Sequence, residues 1–273
     1  MTRRTAPRAG TYPIATGTAE LVPDRADPHV WTLLVNGVPS SPVHVRDPRV
    51  LDFEYLRWMA DVLELAARRP PPEPLDVVHL GGGACALPRH VEAVRPGSSE
   101  VVVEVDAELA RLVREWFDLP RSPRLRLQAG DAREGLQRRR DASADAVVRD
   151  VFAGDATPDH LTTAEFVADV VRVLRPGGLY LANVADPGDL ATLRAEVAAA
   201  RAVFAVTALL ADPAALRRRR RANAVLVGSD APLPVADLAR RAASGAFRAR
   251  LVHGEALAHL VAGARPRHDP LPR

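Results

Sequence analysis

The stretch LDVVHLGGGACALPRHVEAVRPGSSEVVVEVD, residues 75–106, decides how the rest of the chain is read. An apolar run through Val77, Val78 and Leu80 meets three glycines, Gly81, Gly82 and Gly83, and a helical segment follows them. A second apolar run ends in acids at Glu104 and Asp106. Strand, glycine turn, helix, strand and acid make one half of a nucleotide-binding α/β unit. The glycines let backbone approach a ligand closely, and the acid accepts hydrogen bonds from both hydroxyls of a ribose. Glu104 follows Gly81 at close to the separation of about 20 residues that such a unit imposes. A glycine triplet alone marks an ordinary turn. With both strands and the acid in place, the nucleoside reading is the better one.

Around this unit the chain alternates. A strand at 76–80, a helix at 86–95 and a strand at 100–105 open the pattern. A helix at 107–117 follows, with Leu109, Leu112, Val113 and Trp116 on one face, then a strand at 124–128. Gly130-Asp131 leads into a short helix through Leu136, and a fourth strand spans 145–150. A loop at 151–160 precedes a helix at 163–174, capped by Thr162 or Thr163 and stopped by Arg175-Pro176-Gly177-Gly178. A strand at 179–184, a helix at 187–201 and two closing strands at 203–210 and 223–227 complete the core. Such alternation predicts a doubly wound, mostly parallel sheet with ligands at the carboxyl ends of its strands.

Upstream, β-prone pieces at 19–22, 30–35 and 43–45 surround Asn36-Gly37, a hairpin turn signal. Leu51, Tyr55, Trp58, Met59, Val62, Leu63 and Leu65 recur at helical spacing, so 49–68 is expected to be an amphipathic helix. The proline-rich run from Arg69 to Pro74 stops it. The expected organisation is therefore an N-terminal arm, hairpin or meander and helix (1–68), a nucleoside-binding core (69–234) and a C-terminal helical tail (235–273). Residues 1 to about 12 lack periodicity and read as a mobile arm.

Composition narrows the class. At 273 residues the chain can bury a full core, and its apolar runs are too short to span a bilayer. The basic start is not followed by a hydrophobic segment, which speaks against a secretory signal. One cysteine, Cys85, excludes an internal disulfide and agrees with a cytoplasmic setting. The chain has no lysine, so its pI of 9.7 reflects an arginine-biased composition, and the net charge is only +3.

The motifs VVHLGGGACAL, VVVEVDAEL, LQAGDAREGL, DAVVRDVFAGD and FVADVVRVLRPGGLYLANV follow one another as in class I S-adenosylmethionine-dependent methyltransferases. Together with VNGVPSSPVHVRDPRVLDFEYLRWMADVL, they resemble the spermidine synthase (polyamine aminopropyltransferase) branch over roughly residues 30–228. The resemblance implies a Rossmann-like, seven-stranded α/β sheet preceded by a small β-hairpin region. It implies S-adenosylmethionine or decarboxylated S-adenosylmethionine as co-substrate, with no metal. Gly81, Gly82 and Gly83 would cradle the nucleoside, and Glu104 would hold the ribose. Asp131, with Ala132, would receive the adenine amino group, and Asp150 would orient and deprotonate an attacking amine. The partners it implies are a small-molecule acceptor and, through the hairpin, a second copy in a homodimer.

Simpler roles are open to the same residues. Of Glu104 and Asp106, one faces the ligand and the other is solvated or caps the next helix. Asp131 can serve as a helix cap, and Asp150 as a turn residue. His79, His90 and His160 lack metal-ligand spacing, though His160 can border the cleft. Cys85 reads as a small buried residue.

The sequence also departs from the family. Ala84 stands where spermidine synthases carry an Asp that grips the donor's amine, and Cys85-Ala86 replaces a glycine pair. Val151-Phe152-Ala153-Gly154 replaces the Ser/Thr-x-Asp-Pro that binds polyamine, with Asp155 nearby. Ser40 stands for a family glutamine, and Phe53 aligns with the family tyrosine. The expectation is a spermidine-synthase-like transferase whose acceptor is not putrescine. The alternatives are a non-catalytic ligand-binding or assembly member of the fold, and a small-molecule or nucleic-acid methyltransferase. The nucleic-acid form rests on Arg138–Arg140 and Arg217–Arg221 and is disfavoured, because the loop after the fourth strand lacks an Asp/Asn-Pro-Pro-aromatic motif.

Overall fold

In a computed structural model, residues 7–120, 124–217 and 222–270 are described. Four antiparallel strands open the chain: β1 (Gly10–Ile14), β2 (Gly17–Pro23), β3 (Val30–Val35) and β4 (Val38–His44). Asn36-Gly37 makes the β3–β4 turn, with both residues at positive φ, as a two-residue hairpin requires. Residues 10–12, expected in a mobile arm, instead belong to β1. Tyr12 packs on Trp116 at 4.9 Å between ring centroids, a contact that local periodicity does not reveal. The first six residues of that arm lie outside the described residues, as do Arg218–Arg221 of the second arginine run.

Helix α1 (Glu54–Ala66) buries Tyr55, Trp58, Met59 and Val62. The main sheet follows: β5 (Asp76–Leu80), α2 (Ala86–Val94), β6 (Ser99–Glu104), α3 (Ala107–Trp116), β7 (Leu125–Ala129), α4 (Ala132–Gln137) and β8 (Ala144–Arg149). Then come α5 (Ala164–Val173), β9 (Leu174–Asp186), α6 (Ala191–Arg201), β10 (Val206–Ala211), α7 (Pro213–Leu216) and β11 (Ala222–Ser229). The last elements are α8 (Val235–Ser244), β12 (Arg250–His253) and α9 (Gly254–Leu260). The strand order is β12-β10-β11-β9-β8-β5-β6-β7. Strands β5 to β9 are mutually parallel, and β11, β10 and β12 close the sheet antiparallel. The doubly wound class is as expected, with an eighth strand beyond the expected seven. That strand, β12, is only four residues long, lies at the sheet edge and exposes Arg250 and His253, so its sequence carries no strand signature.

The sheet is covered on both faces. One apolar cluster joins α1, α2, α3 and α8 to the sheet; the other joins α4, α5, α6 and α9. Trp58 donates from Nε1 to the Phe247 carbonyl at 2.8 Å, and Arg241 bridges Asp61 and Glu64, so α8 is fastened onto α1. Fully buried Arg95 donates to the carbonyls of Leu63, Arg69 and Glu73 and thereby holds the proline-rich connection. Of the first arginine run, Arg138 pairs with Glu134 and Arg139 donates to Gln128. Among the described residues no helix is long and apolar enough to cross a membrane.

One buried pair predicts a pH signature. His79 of β5 and Glu100 of β6 meet at 2.8 Å, both nearly inaccessible. Burial pushes His79 down to about 3. Burial, reinforced by the charge of Glu92, holds Glu100 well above the usual carboxyl range. The folded pair therefore carries one proton, on Glu100, donated to a neutral imidazole. Unfolded, the two groups carry two protons below 4.5 and none above 6.5. Stability from this pair thus falls as pH drops below the lower value, where the unfolded chain binds more protons. It also falls as pH rises above the upper value, where the folded chain binds more. Urea unfolding across pH is expected to show a component maximal between these values that disappears in the double variant His79→Val, Glu100→Val. An identical profile in the variant would contradict the one-proton pair.

Candidate active site

The sheet reverses its winding between β5 and β8, and the crevice at their carboxyl ends is where an open α/β sheet receives a ligand. Gly81 leaves β5 with φ +87°, and a Cβ there would lie 2.1 Å from the Asp150 carbonyl oxygen. The turn and the residue after β8 are therefore in direct contact. Gly82 donates its N–H to Glu104 Oε2 at 3.0 Å, and a Cβ on Gly82 would be 2.9 Å from Val102 Cγ1. Gly83, at φ +46°, lies beneath β4: its Cβ would sit 3.5 Å from both Ser40 Oγ and Ser41 Cβ. The three glycines form a cradle that side chains would fill, which fits a nucleoside lying against bare backbone. Ala84 and Cys85 are fully buried behind it, and burial, with help from Glu104 and Glu100, pushes the Cys85 thiol up to about 12. Such a thiol is not a nucleophile at neutral pH.

The two acids of the second strand divide their roles. Glu104 faces the turn, accepting from Gly82 N–H and, at 3.2 Å, from Asp106 N–H. Asp106 is buried and caps α3, accepting from Leu109 N–H at 2.9 Å, so the capping role falls to it. Its other oxygen accepts from the Thr16 N–H and hydroxyl at 2.7 and 2.9 Å, docking the β1–β2 turn on this loop. Burial opposes ionisation of Asp106, but these donors hold its carboxyl below the usual range. Asp106→Ala is expected to lower unfolding free energy by about 1–2 kcal/mol, the cost of losing a cap. Urea denaturation checks this, and an unchanged midpoint would contradict the docking role.

Asp131 caps α4, accepting from Arg133 N–H and Glu134 N–H through Oδ1, and Ala132 opens that helix. Its Oδ2 meets His160 Nε2 at 2.8 Å, so the capping role is real and a second oxygen stays at the rim. Burial works against the Asp131 anion; the Glu134 N–H and His160 outweigh it and keep the carboxyl below its ordinary value. His160 lies on the connection between β8 and α5.

Asp150 is held from both sides. Tyr55 of α1 donates its hydroxyl to Oδ2 at 3.0 Å, and Asn183 of β9 donates Nδ2 to Oδ1 at 2.8 Å. The residue keeps a partly open edge while protein surrounds it elsewhere. Burial raises its pKa above the carboxylate norm, and Asn183, Tyr55 and Arg149 offset only part of that rise. Tyr55, itself pushed well above 10 by burial and by Asp150, stays a hydroxyl donor. A carboxylate with two neutral donors and raised proton affinity is suited to accept a proton.

Tyr55, and not Phe53, meets Asp150, while Phe53 lies beside it with ring centroids 5.8 Å apart in a tilted pair. Helical spacing marks Tyr55 as a core position of α1, which it also fills. Asn183 was missed too; its signal was a polar residue within the apolar run Leu-Ala-Asn-Val, which a buried strand tolerates only with a partner. Around the site, Val105 and Phe152 are exposed apolar side chains on the connections after β6 and β8. The residues after Asp150 form a tight turn bridged between Ala153 and Ala156, with Asp155 exposed. Among the described residues no group of His, Cys, Asp and Glu could hold a metal ion.

No family model matches the chain. The structure superimposes on that of a probable spermidine synthase from Corynebacterium glutamicum with a TM-score of 0.92 and 39% identity, covering 98% of both chains. Human methyltransferase-like protein 13 in complex with SAH shares the fold at a TM-score of 0.57 and 21% identity, over 80% of this chain and 97% of that one. Polyamine aminopropyltransferase of Vibrio vulnificus is 30% identical over 116 residues, which is 42% of this chain and only 38% of the relative's length. With the near-complete match to the Corynebacterium protein, the chain belongs to the spermidine-synthase-like branch of the class I S-adenosylmethionine-dependent methyltransferase superfamily.

Proposed function

We propose that the protein is a transferase that binds S-adenosylmethionine or its decarboxylated form and acts on a small-molecule amine other than putrescine. The observation that carries this reading is Asp150, fixed by Tyr55 and Asn183 and in contact with the Gly81 turn. In this reading Glu104 accepts from the ribose hydroxyls. The rim oxygen of Asp131 accepts from the adenine amino group. The N–H of Ala132, which as a first helical residue has no intrahelical acceptor, donates to the ring. When bound, the nucleoside supplies an electrophilic carbon on a sulfonium sulfur. Asp150 orients the amine nitrogen and takes the proton it loses.

Putrescine is disfavoured by what flanks Asp150. A diamine needs an anionic partner for its second ammonium end, and the segment that supplies it in the family is Val151–Gly154 here, which has no acid. Exposed Phe152 offers an apolar surface in that segment. The test supplies either donor with putrescine or with a panel of monoamines bearing apolar substituents, and measures nucleoside product. A panel amine is expected to exceed putrescine by about 100-fold in kcat/KM, the scale of one lost charged contact. Efficient turnover of putrescine would contradict the acceptor assignment, and no turnover with any amine would contradict the reaction.

A further inference from the structure

Arg149, the last residue of β8, is fully buried after the apolar run Ala146–Val148. Its guanidinium reaches three separate segments: the Leu161 carbonyl at 2.8 Å, the Asn183 carbonyl at 3.0 Å and Glu196 Oε2 of α6 at 2.5 Å. Glu196 is 3% exposed. Burying an ion pair is no more stabilising than burying apolar side chains of the same volume, so core packing does not explain it. Each contact bears on Asp150. The amide that holds Asp150 Oδ1 belongs to Asn183, whose main chain Arg149 pins. Leu161 ends the connection that begins at Asp150, so Arg149 ties both of its ends together. Successive strand residues face opposite sides, which sets Arg149 toward α6 and Asp150 toward α1.

We propose that the Arg149–Glu196 pair is the positioning element for Asp150: it fixes Asn183 and the connection after β8, and sets a positive charge behind the carboxylate. The proposal rests on the reading of Asp150 as the proton acceptor. The groups around the pair are few. Tyr55 from α1, Asn183 from β9 and Arg149 face Asp150, Tyr180 from β9 acts on Arg149, and Arg267 acts on Glu196. The expected signs follow. Removing both members withdraws the nearer positive charge, so Asp150 binds its proton more tightly. Removing only the negative charge of Glu196 leaves Arg149 unopposed, so Asp150 binds it less tightly.

The test is an NMR titration of protein labelled at aspartate 13Cγ, with Asp150→Asn identifying the Asp150 resonance. In Arg149→Met with Glu196→Met, the midpoint is expected to rise by about one pH unit, a tenfold change in proton affinity. In Glu196→Gln it is expected to fall. Methylthioadenosine affinity is expected to stay within about threefold of wild type in both, because the nucleoside contacts are untouched. If only one variant folds, the direction of its shift decides. A midpoint that stays put, or moves the same way in both variants, overturns the proposal. Failure of the underlying reading looks different: wild-type turnover by Asp150→Asn, with both shifts still as expected.

Discussion

Glu104→Ala is expected to lose at least about 100-fold in affinity for methylthioadenosine or S-adenosylmethionine. Each hydrogen bond from a ribose hydroxyl to a carboxylate contributes about 1.5–3 kcal/mol, and both are lost together. The same carboxylate accepts from the N–H groups of Gly82 and Asp106, so its removal also frees the turn that shapes the cradle. Glu104→Gln separates these effects. It keeps an acceptor for Gly82 but gives up the charge and one ribose acceptor, and is expected to lose about tenfold. Isothermal calorimetry measures both. Wild-type affinity in Glu104→Ala would remove the carboxylate from the site.

Asp150→Asn is expected to lower turnover by about 10²–10⁴-fold, the usual worth of a positioned general base. Asparagine can still accept from Tyr55 through one atom, but it cannot take up a proton. Nucleoside affinity should stay within about threefold, since Glu104 and Asp131 are intact. The pH dependence carries the sign. Burial raises Asp150 above the ordinary carboxylate range, so the wild-type rate should fall as pH drops through that raised value, where Asp150 becomes protonated. The acid limb should be absent in the variant's residual rate. An acid limb that persists would assign the titration to another group.

Local pattern carried most of the architecture. The glycine turn, the Glu104 and Asp106 strand end and the Asn36-Gly37 hairpin are short-range signals, and each sits where spacing alone put it. What escaped depends on distant parts of the chain. Strand β1 forms because Tyr12 finds Trp116 and Thr16 finds Asp106, about a hundred residues away. Strand β12 forms because β10 offers an edge, not because Arg-Leu-Val-His favours extension. At the site, Tyr55 and Asn183 looked like core residues of a helix and a strand, and they are; their polar atoms reach Asp150 only once α1 is laid over the ends of β8 and β9. Arg149 ends an apolar run, and no local pattern pairs it with Glu196 on a helix 47 residues on. Asp131 caps α4 with one oxygen, as the sequence allows, and meets His160 with the other, a partner 29 residues on that no local pattern reveals.

In the proposed reading one crevice joins a nucleoside cradle to a poised carboxylate. A crystal structure with methylthioadenosine bound is expected to place the ribose hydroxyls on Glu104, the adenine amino group on Asp131 and the sulfur beside Asp150. A nucleoside bound elsewhere, or one whose sulfur points away from Asp150, would contradict it.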